Sequence, residues 1–155
     1  MAGWTRIQTI DKVRHWKESG EKIVFTNGCF DIIHAGHIHL LTEAKNLGDR
    51  LLIGLNSDRS VQNLKGQDRP LNPEYARASV LESLSMVDGV TIFQEDTPLK
   101  LIEEIIPHVL VKGGDYSIEN IVGADTVRAS GGEVDLIPIL KGHSTSNLIT
   151  RIRKR

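Results

Sequence analysis

The sequence predicts an α/β fold, a Rossmann-like doubly wound sheet of about five parallel strands with helices on both faces. Two observations predict the layers. Short apolar runs rich in branched residues alternate with stretches whose apolar side chains recur every three or four residues, the signature of strand and amphipathic helix in turn. Each intervening stretch is long enough for a right-handed crossover between parallel strands. A third observation concerns function. Most of the polar, glycine-rich and histidine-containing sequence follows directly after an apolar run, where an open α/β sheet binds its ligands.

In chain order, Ile10, Val13 and Trp16 mark a short helix over about residues 8–19. The first strand follows at Lys22–Thr26. Leu40, Leu41, Ala44 and Leu47 share one helical face, and Gly48 stands where a helix stop belongs. Arg50–Leu55 is the second strand, and Asn56–Pro70 reads as a loop. Val80, Leu81, Leu84 and Val87 mark the next helix, entered through Asn72 as cap and Pro73 as first helical residue. Val90–Phe93 is the third strand. Leu101, Ile102, Ile105 and Ile106 form a helix between Thr97-Pro98 and Pro107, ahead of the strand Val109–Lys112. A weaker helical pattern covers Ile118–Ala129 and stops at Gly131-Gly132, and Val134–Ile139 is the last strand.

The 155 residues suit one domain, 1–155, with its core over about 21–152. Lys and Arg number 19 against 20 Asp and Glu, a balance that offers neither nucleic acid nor an anionic membrane a reason to bind. Apolar runs such as Leu51–Leu55 are too short to cross a bilayer, and no secretory signal opens the chain, so the cytoplasm is the expected compartment. Cys29 is the only cysteine, which excludes an internal disulfide.

The window after the first strand carries the chemistry. It reads Thr26-Asn27-Gly28-Cys29-Phe30-Asp31-Ile32-Ile33-His34-Ala35-Gly36-His37 and opens a helix, where backbone amides and the helix dipole attract phosphate. Gly28 and Gly36 permit close approach, and His34 and His37 are spaced to reach one phosphoryl group and stabilise the charge that develops on it. A helix cap plus a packed histidine is the plain alternative. Asp31, His34 and His37 with Cys29 also make a partial metal-ligand set. No second Cys/His pair follows downstream, so no protein-held metal is expected.

These residues resemble the HxGH nucleotidyltransferases. Asn56-Ser57-Asp58, Leu64-Lys65-Gly66 and Arg69-Pro70 resemble that family's phosphate-contacting loop, and Asn72–Arg77 its arginine-bearing helix start. Val111-Lys112-Gly113-Gly114-Asp115-Tyr116 and Gly142-His143-Ser144-Thr145-Ser146 look most like the adenylyltransferase domain of bifunctional ADP-heptose synthases. The glycerol-phosphate cytidylyltransferases carry an arginine ahead of this last motif that is missing here.

The resemblance implies attack by a sugar 1-phosphate on the α-phosphorus of ATP, with D-glycero-β-D-manno-heptose 1-phosphate as acceptor and ADP-heptose for the lipopolysaccharide core as product. It implies catalytic roles for His34, His37, Lys65, Arg77 and Lys112. Nucleotide contacts are implied for Thr26, Asn27, Gly28, Cys29, Phe30, Gly36, Gly114, Asp115, Ser144, Thr145 and Ser146, and acceptor contacts for Asp31, Asn56, Asp58 and Lys65. Magnesium carried by the nucleotide phosphates, a homodimer, and a separate sugar kinase complete the expectation. Taken singly, Lys65 could equally be a solvated surface charge, Asp115 a turn residue and Ser144 a helix cap. A cytidylyltransferase acting on glycerol 3-phosphate, or a non-catalytic nucleotide sensor, would share most of these residues.

Overall fold

The computed structural model describes residues 2–155, so only Met1 of the expected 1–155 domain lies outside it. The described residues form one five-stranded parallel sheet in the order β3-β2-β1-β4-β5. Its strands are β1 (Ile23–Gly28), β2 (Arg50–Asn56), β3 (Gly89–Phe93), β4 (Val109–Gly113) and β5 (Glu133–Ile137). The helices are α1 (Arg6–Glu18), α2 (Ala35–Lys45), α3 (Asp58–Lys65), α4 (Glu74–Glu82), α5 (Leu99–Ile105), α6 (Ala124–Ala129) and α7 (Thr145–Arg153).

The pleat sorts each strand's side chains between two cores. Ile23, Phe25, Leu52 and Leu110 point to one face and pack against Val13 and Trp16 of α1, Leu101, Ile102 and Ile105 of α5, and Val127 of α6. Val24, Leu51, Ile53, Leu55, Val109 and Val111 point to the other and meet Leu41 and Ala44 of α2 and Ala78 and Leu81 of α4. Both faces of the central strands are covered. That is why their sequences read as continuous apolar runs rather than alternating ones.

Several boundaries differ from the sequence reading for local reasons. The first helix starts at Arg6 because Thr5 and Gln8 close a capping box: the Gln8 amide donates to Thr5 Oγ1 at 3.2 Å and the Thr5 amide to Gln8 Oε1 at 2.9 Å. Just before it, the Trp4 amide donates to the Val90 carbonyl at 2.7 Å and covers the exposed edge of β3. The expected loop 56–70 contains α3, capped by Ser57, whose hydroxyl accepts from the Ser60 amide at 3.2 Å. Pro73 is the N-cap of α4, not its first residue, because the Asn72 side chain donates instead to the Asp31 carbonyl. Gly48 does not end α2 by left-handed geometry, since the cap is Asn46; a Cβ at Gly48 would lie 2.7 Å from the Lys22 carbonyl oxygen. The stretch 118–129 splits into a 3-10 turn at Ile118–Asn120 and α6, because Gly123 sits at φ 86° against Ile102.

Candidate active site

In this strand order the chain leaves β1 toward β2 and β3, then returns to build β4 and β5 on the other side. The carboxyl ends of β1 and β4 therefore frame the topological switch point. Two adjoining cavities open there, of about 480 Å³ and about 290 Å³. They share Asn27, Gly28 and Cys29 from the end of β1, Lys65 from the end of α3, and Lys112 and Tyr116 from and after β4. Phe30, Asp31, His37 and Thr145 line only the smaller one, and Asn56 only the larger.

The histidine pair is held by the start of α2. His34 is the N-cap, and its Nδ1 accepts from the Gly36 amide at 3.1 Å. The His34 amide in turn donates to His37 Nδ1 at 3.4 Å, so the two imidazoles form a reciprocal capping box in place of the usual hydroxyl and carboxamide. The rings stack with centroids 3.8 Å apart. In this arrangement each neutral ring carries its proton on Nε2. Only glycine fits at position 36, because a Cβ there would lie 2.9 Å from the His34 ring and 3.0 Å from the His143 carbonyl oxygen. Phe30, at φ 46°, turns the chain between β1 and α2 and brings its ring within 5.1 Å of His37.

The electrostatics favour an incoming anion. Burial, then the charges of His34 and Lys65, push His37 down to about 4, with the Ile32 carbonyl opposing. Burial and the nearby His143 lower His34. Burial lowers Lys112, with Cys29 opposing and Lys65 adding to the shift. A phosphate in the smaller cavity would offset the penalties on His37 and Lys112, which line it, whereas His34 lines neither cavity.

The lowered His37 value also sets a pH dependence. Its folded pKa of about 4 lies below the ordinary 6.5, so the unfolded chain binds the extra proton first. Its contribution to stability should be complete above pH 6.5 and lost as the pH falls toward 4. Calorimetric melting over this range should show a shallower decline for His37→Asn than for the unaltered chain. Parallel curves would contradict the assignment.

Other expected contacts are placed differently. The Arg77 guanidinium is buried and lines neither cavity. It donates to the carbonyls of Asn72, Cys29 and Asn56 at 2.9, 2.7 and 2.8 Å, and to Asp58 Oδ1 at 2.7 Å. Arg77 thus braces the ends of β1 and β2 and pairs with the Asp58 carboxylate, and neither residue lines the two cavities. Asp31 is likewise committed. It accepts from the Leu71 and Asn72 amides and from Arg69 Nε, all within 2.9 Å. Burial alone would raise its carboxyl, but these donors outweigh burial and hold it below the ordinary range. Asn56 lines the larger cavity while its side chain donates to Ser60 Oγ at 2.9 Å.

Thr26 is fully buried, lines neither cavity, and its hydroxyl has no partner among the described residues. Gly114, at φ 123°, backs the Tyr116 ring, and Asp115 is exposed outside both cavities. Ser144 caps α7 by accepting from the Asn147 amide at 3.1 Å, and Thr145 Oγ1 donates to the Ile32 carbonyl at 3.3 Å. Ser146 is exposed and outside both cavities. No cluster of three or more His, Cys, Asp or Glu is gathered among the described residues, so Asp31, His34, His37 and Cys29 do not assemble as a ligand set. No helix among them is long and apolar enough to cross a membrane.

Sequence reasoning gave no role to the far wall of the larger cavity, formed by Asp96, Thr97 and Pro98 and by Asn120, Ile121 and Val122. Their only signal is position after β3 and β4, since none belongs to a recognisable motif.

Comparison with known proteins agrees with this architecture. The bifunctional protein HldE of Hyphomonas neptunium is 57% identical over 142 residues, covering 92% of this chain and 29% of that protein. Its counterpart from Nitrobacter hamburgensis is 60% identical over 136 residues, 88% of this chain and 28% of the relative. The chain thus spans about three-tenths of the length of these relatives. A crystal structure of the lipopolysaccharide core biosynthesis protein from Thermoplasma volcanium superposes with TM-score 0.63 and 29% identity, over 80% of this chain and all of that one. Pantoate-beta-alanine ligase from Francisella tularensis shares the fold, with TM-score 0.62 at 16% identity. The family model described as cytidylyltransferase-like matches residues 25–150, from the middle of β1 into α7 and across both cavities. On that match, the chain belongs to the cytidylyltransferase-like family.

Proposed function

We propose that this chain is an adenylyltransferase that joins AMP from ATP to a sugar 1-phosphate, D-glycero-β-D-manno-heptose 1-phosphate, releasing pyrophosphate and giving ADP-heptose for lipopolysaccharide core synthesis. The observation that carries the reading is the stacked His34–His37 pair at the start of α2, beside a cavity junction lined by Lys65 and Lys112. The choice of acceptor rests on the motifs at Lys112–Tyr116 and Gly142–Ser146. The likeness to HldE proteins and to a lipopolysaccharide core biosynthesis protein adds to it.

The acceptor phosphate is already anionic, so no general base is needed, and catalysis consists of alignment and charge neutralisation. A phosphate oxygen of the sugar attacks the α-phosphorus, and the bond to the β-phosphate bridging oxygen breaks. His37 and His34 donate to the phosphoryl oxygens as charge builds on them. Lys65, the last residue of α3, closes over the β- and γ-phosphates. Lys112 lies at the junction and neutralises the entering phosphate. Thr145 and the α7 amides add donors on the nucleotide side.

The donor set suits a divalent ion that arrives on the triphosphate. Asp31 is saturated by Arg69, Leu71 and Asn72, which leaves Asp96 as the carboxylate of these cavities with an open oxygen. Magnesium carried by phosphate oxygens would screen the triphosphate charge. A homodimer, a cytoplasmic location and a sugar kinase distinct from this domain belong to the same proposal.

The test is pyrophosphate release with magnesium, crossing ATP and CTP against heptose 1-phosphate and glycerol 3-phosphate. Release confined to ATP with heptose 1-phosphate is the expected result. Release with CTP and glycerol 3-phosphate would transfer the chain to the cytidylyltransferase branch, and ATP binding without release in any combination would favour a sensor.

A further inference from the structure

We propose that Arg6, at the start of α1 and ahead of the residues that the family model matches, is a positioning residue for Lys65. It clamps the loop after β3, and that loop carries α3, whose last residue is Lys65. The inference rests on the transferase reading above and adds to it how the lysine that closes over the phosphates is held.

One row of hydrogen bonds seats α3 on that loop. Ser57, Ser60 and Asn63 are spaced three residues apart, so they share one side of the helix. The Ser57 amide donates to the Phe93 carbonyl at 3.0 Å, Ser60 Oγ to the Glu95 carbonyl at 2.9 Å, and Asn63 Nδ2 to Asp96 Oδ1 at 2.9 Å. Ser60 Oγ also accepts from Asn56 Nδ2 at 2.9 Å, which ties the end of β2 into the same row. Lys65 follows Asn63 by two residues, so the reach of its ammonium depends on where this row holds α3.

The loop is in turn clamped from outside. Arg6 Nη2 donates to both carboxylate oxygens of Glu95, at 2.7 and 2.9 Å, and Arg6 Nη1 to Glu104 Oε2 at 3.1 Å. Glu95 is thus held at both ends, its carboxylate by Arg6 and its carbonyl by Ser60. Burial alone would raise the Glu95 carboxyl, but backbone amides and Arg6 outweigh burial and hold it below the ordinary range. Arg6 itself stands between two anchors on β3. The Trp4 ring fills the space beside Gly89, where a Cβ would lie 2.4 Å from it, and the Thr9 and Thr91 hydroxyls pair in the core. A guanidinium fixed on both sides and forked toward two carboxylates suits a clamp better than a solvated surface charge does.

ATP titration without acceptor, followed by steady-state kinetics, tests the clamp. Arg6→Ala should weaken ATP binding by about three- to tenfold and raise the KM for ATP to match. Glu95→Gln makes the same comparison without truncating a side chain and should shift affinity in the same direction, while Arg6→Lys should recover part of the loss. Glu104→Gln removes the other partner of Arg6 without touching the loop, and should leave ATP affinity unchanged. In a Lys65→Ala background, Arg6→Ala should add nothing further, because it acts through Lys65. Unchanged ATP affinity in Arg6→Ala and Glu95→Gln, or an equal loss with and without Lys65, would overturn the assignment and leave the transferase reading standing. Weakened ATP binding that depends on Lys65, with no pyrophosphate release from any sugar 1-phosphate, would remove the transferase reading and keep the clamp.

Discussion

His34→Ala and His37→Ala should each lower kcat for pyrophosphate release by about 10²–10³, the usual cost of removing one preorganised donor from a developing oxyanion. The two rings are stacked and hydrogen-bonded through one capping box, so they act as a unit. The double variant should consequently be little worse than either single one. Folding should survive. Losing the His34 cap costs about 1 kcal/mol, which a domain of this size tolerates. The measurement is kcat and ATP affinity side by side, with melting as control. A variant that keeps turnover while binding ATP more weakly would mean that the pair only anchors the nucleotide.

Arg77→Ala should have the largest effect on stability, a loss of about 3–5 kcal/mol. Four hydrogen bonds converge on its buried guanidinium, and three go to main-chain carbonyls at the ends of elements that shape the site. Truncation would leave the Cys29 and Asn56 carbonyls, both beside the cavities, without their donor. Chemical denaturation should show the loss directly, and Arg77→Lys should recover only part of it, because one ammonium cannot match the forked guanidinium. A fully stable Arg77→Ala protein with abolished turnover would restore the direct phosphate role that the sequence implied.

The contrast between His37 and Arg77 shows where sequence reading stops. The family resemblance gives both a phosphate role, His37 at the start of α2 and Arg77 in the first turn of α4. His37 reaches a cavity because the helix start that holds it is set by neighbours one to three residues away. Arg77 does not, because its direction is decided by carbonyls 5, 21 and 48 residues distant. Asp31 behaves the same way. Its position beside the histidines suggested a ligand, and a loop some 40 residues on consumes its carboxylate.

By itself the sequence determined the alternation of strand and helix, the parallel sheet and the placement of the histidine pair. These follow from the period of apolar residues and from capping, which act over a few positions. Only the tertiary structure decided which cationic side chains face open space, which carboxylates are already spent, and that two cavities meet at the end of β1. A side chain is free or committed according to hydrogen-bond partners brought from far along the chain. That information is created when the strands pair and the loops close over them.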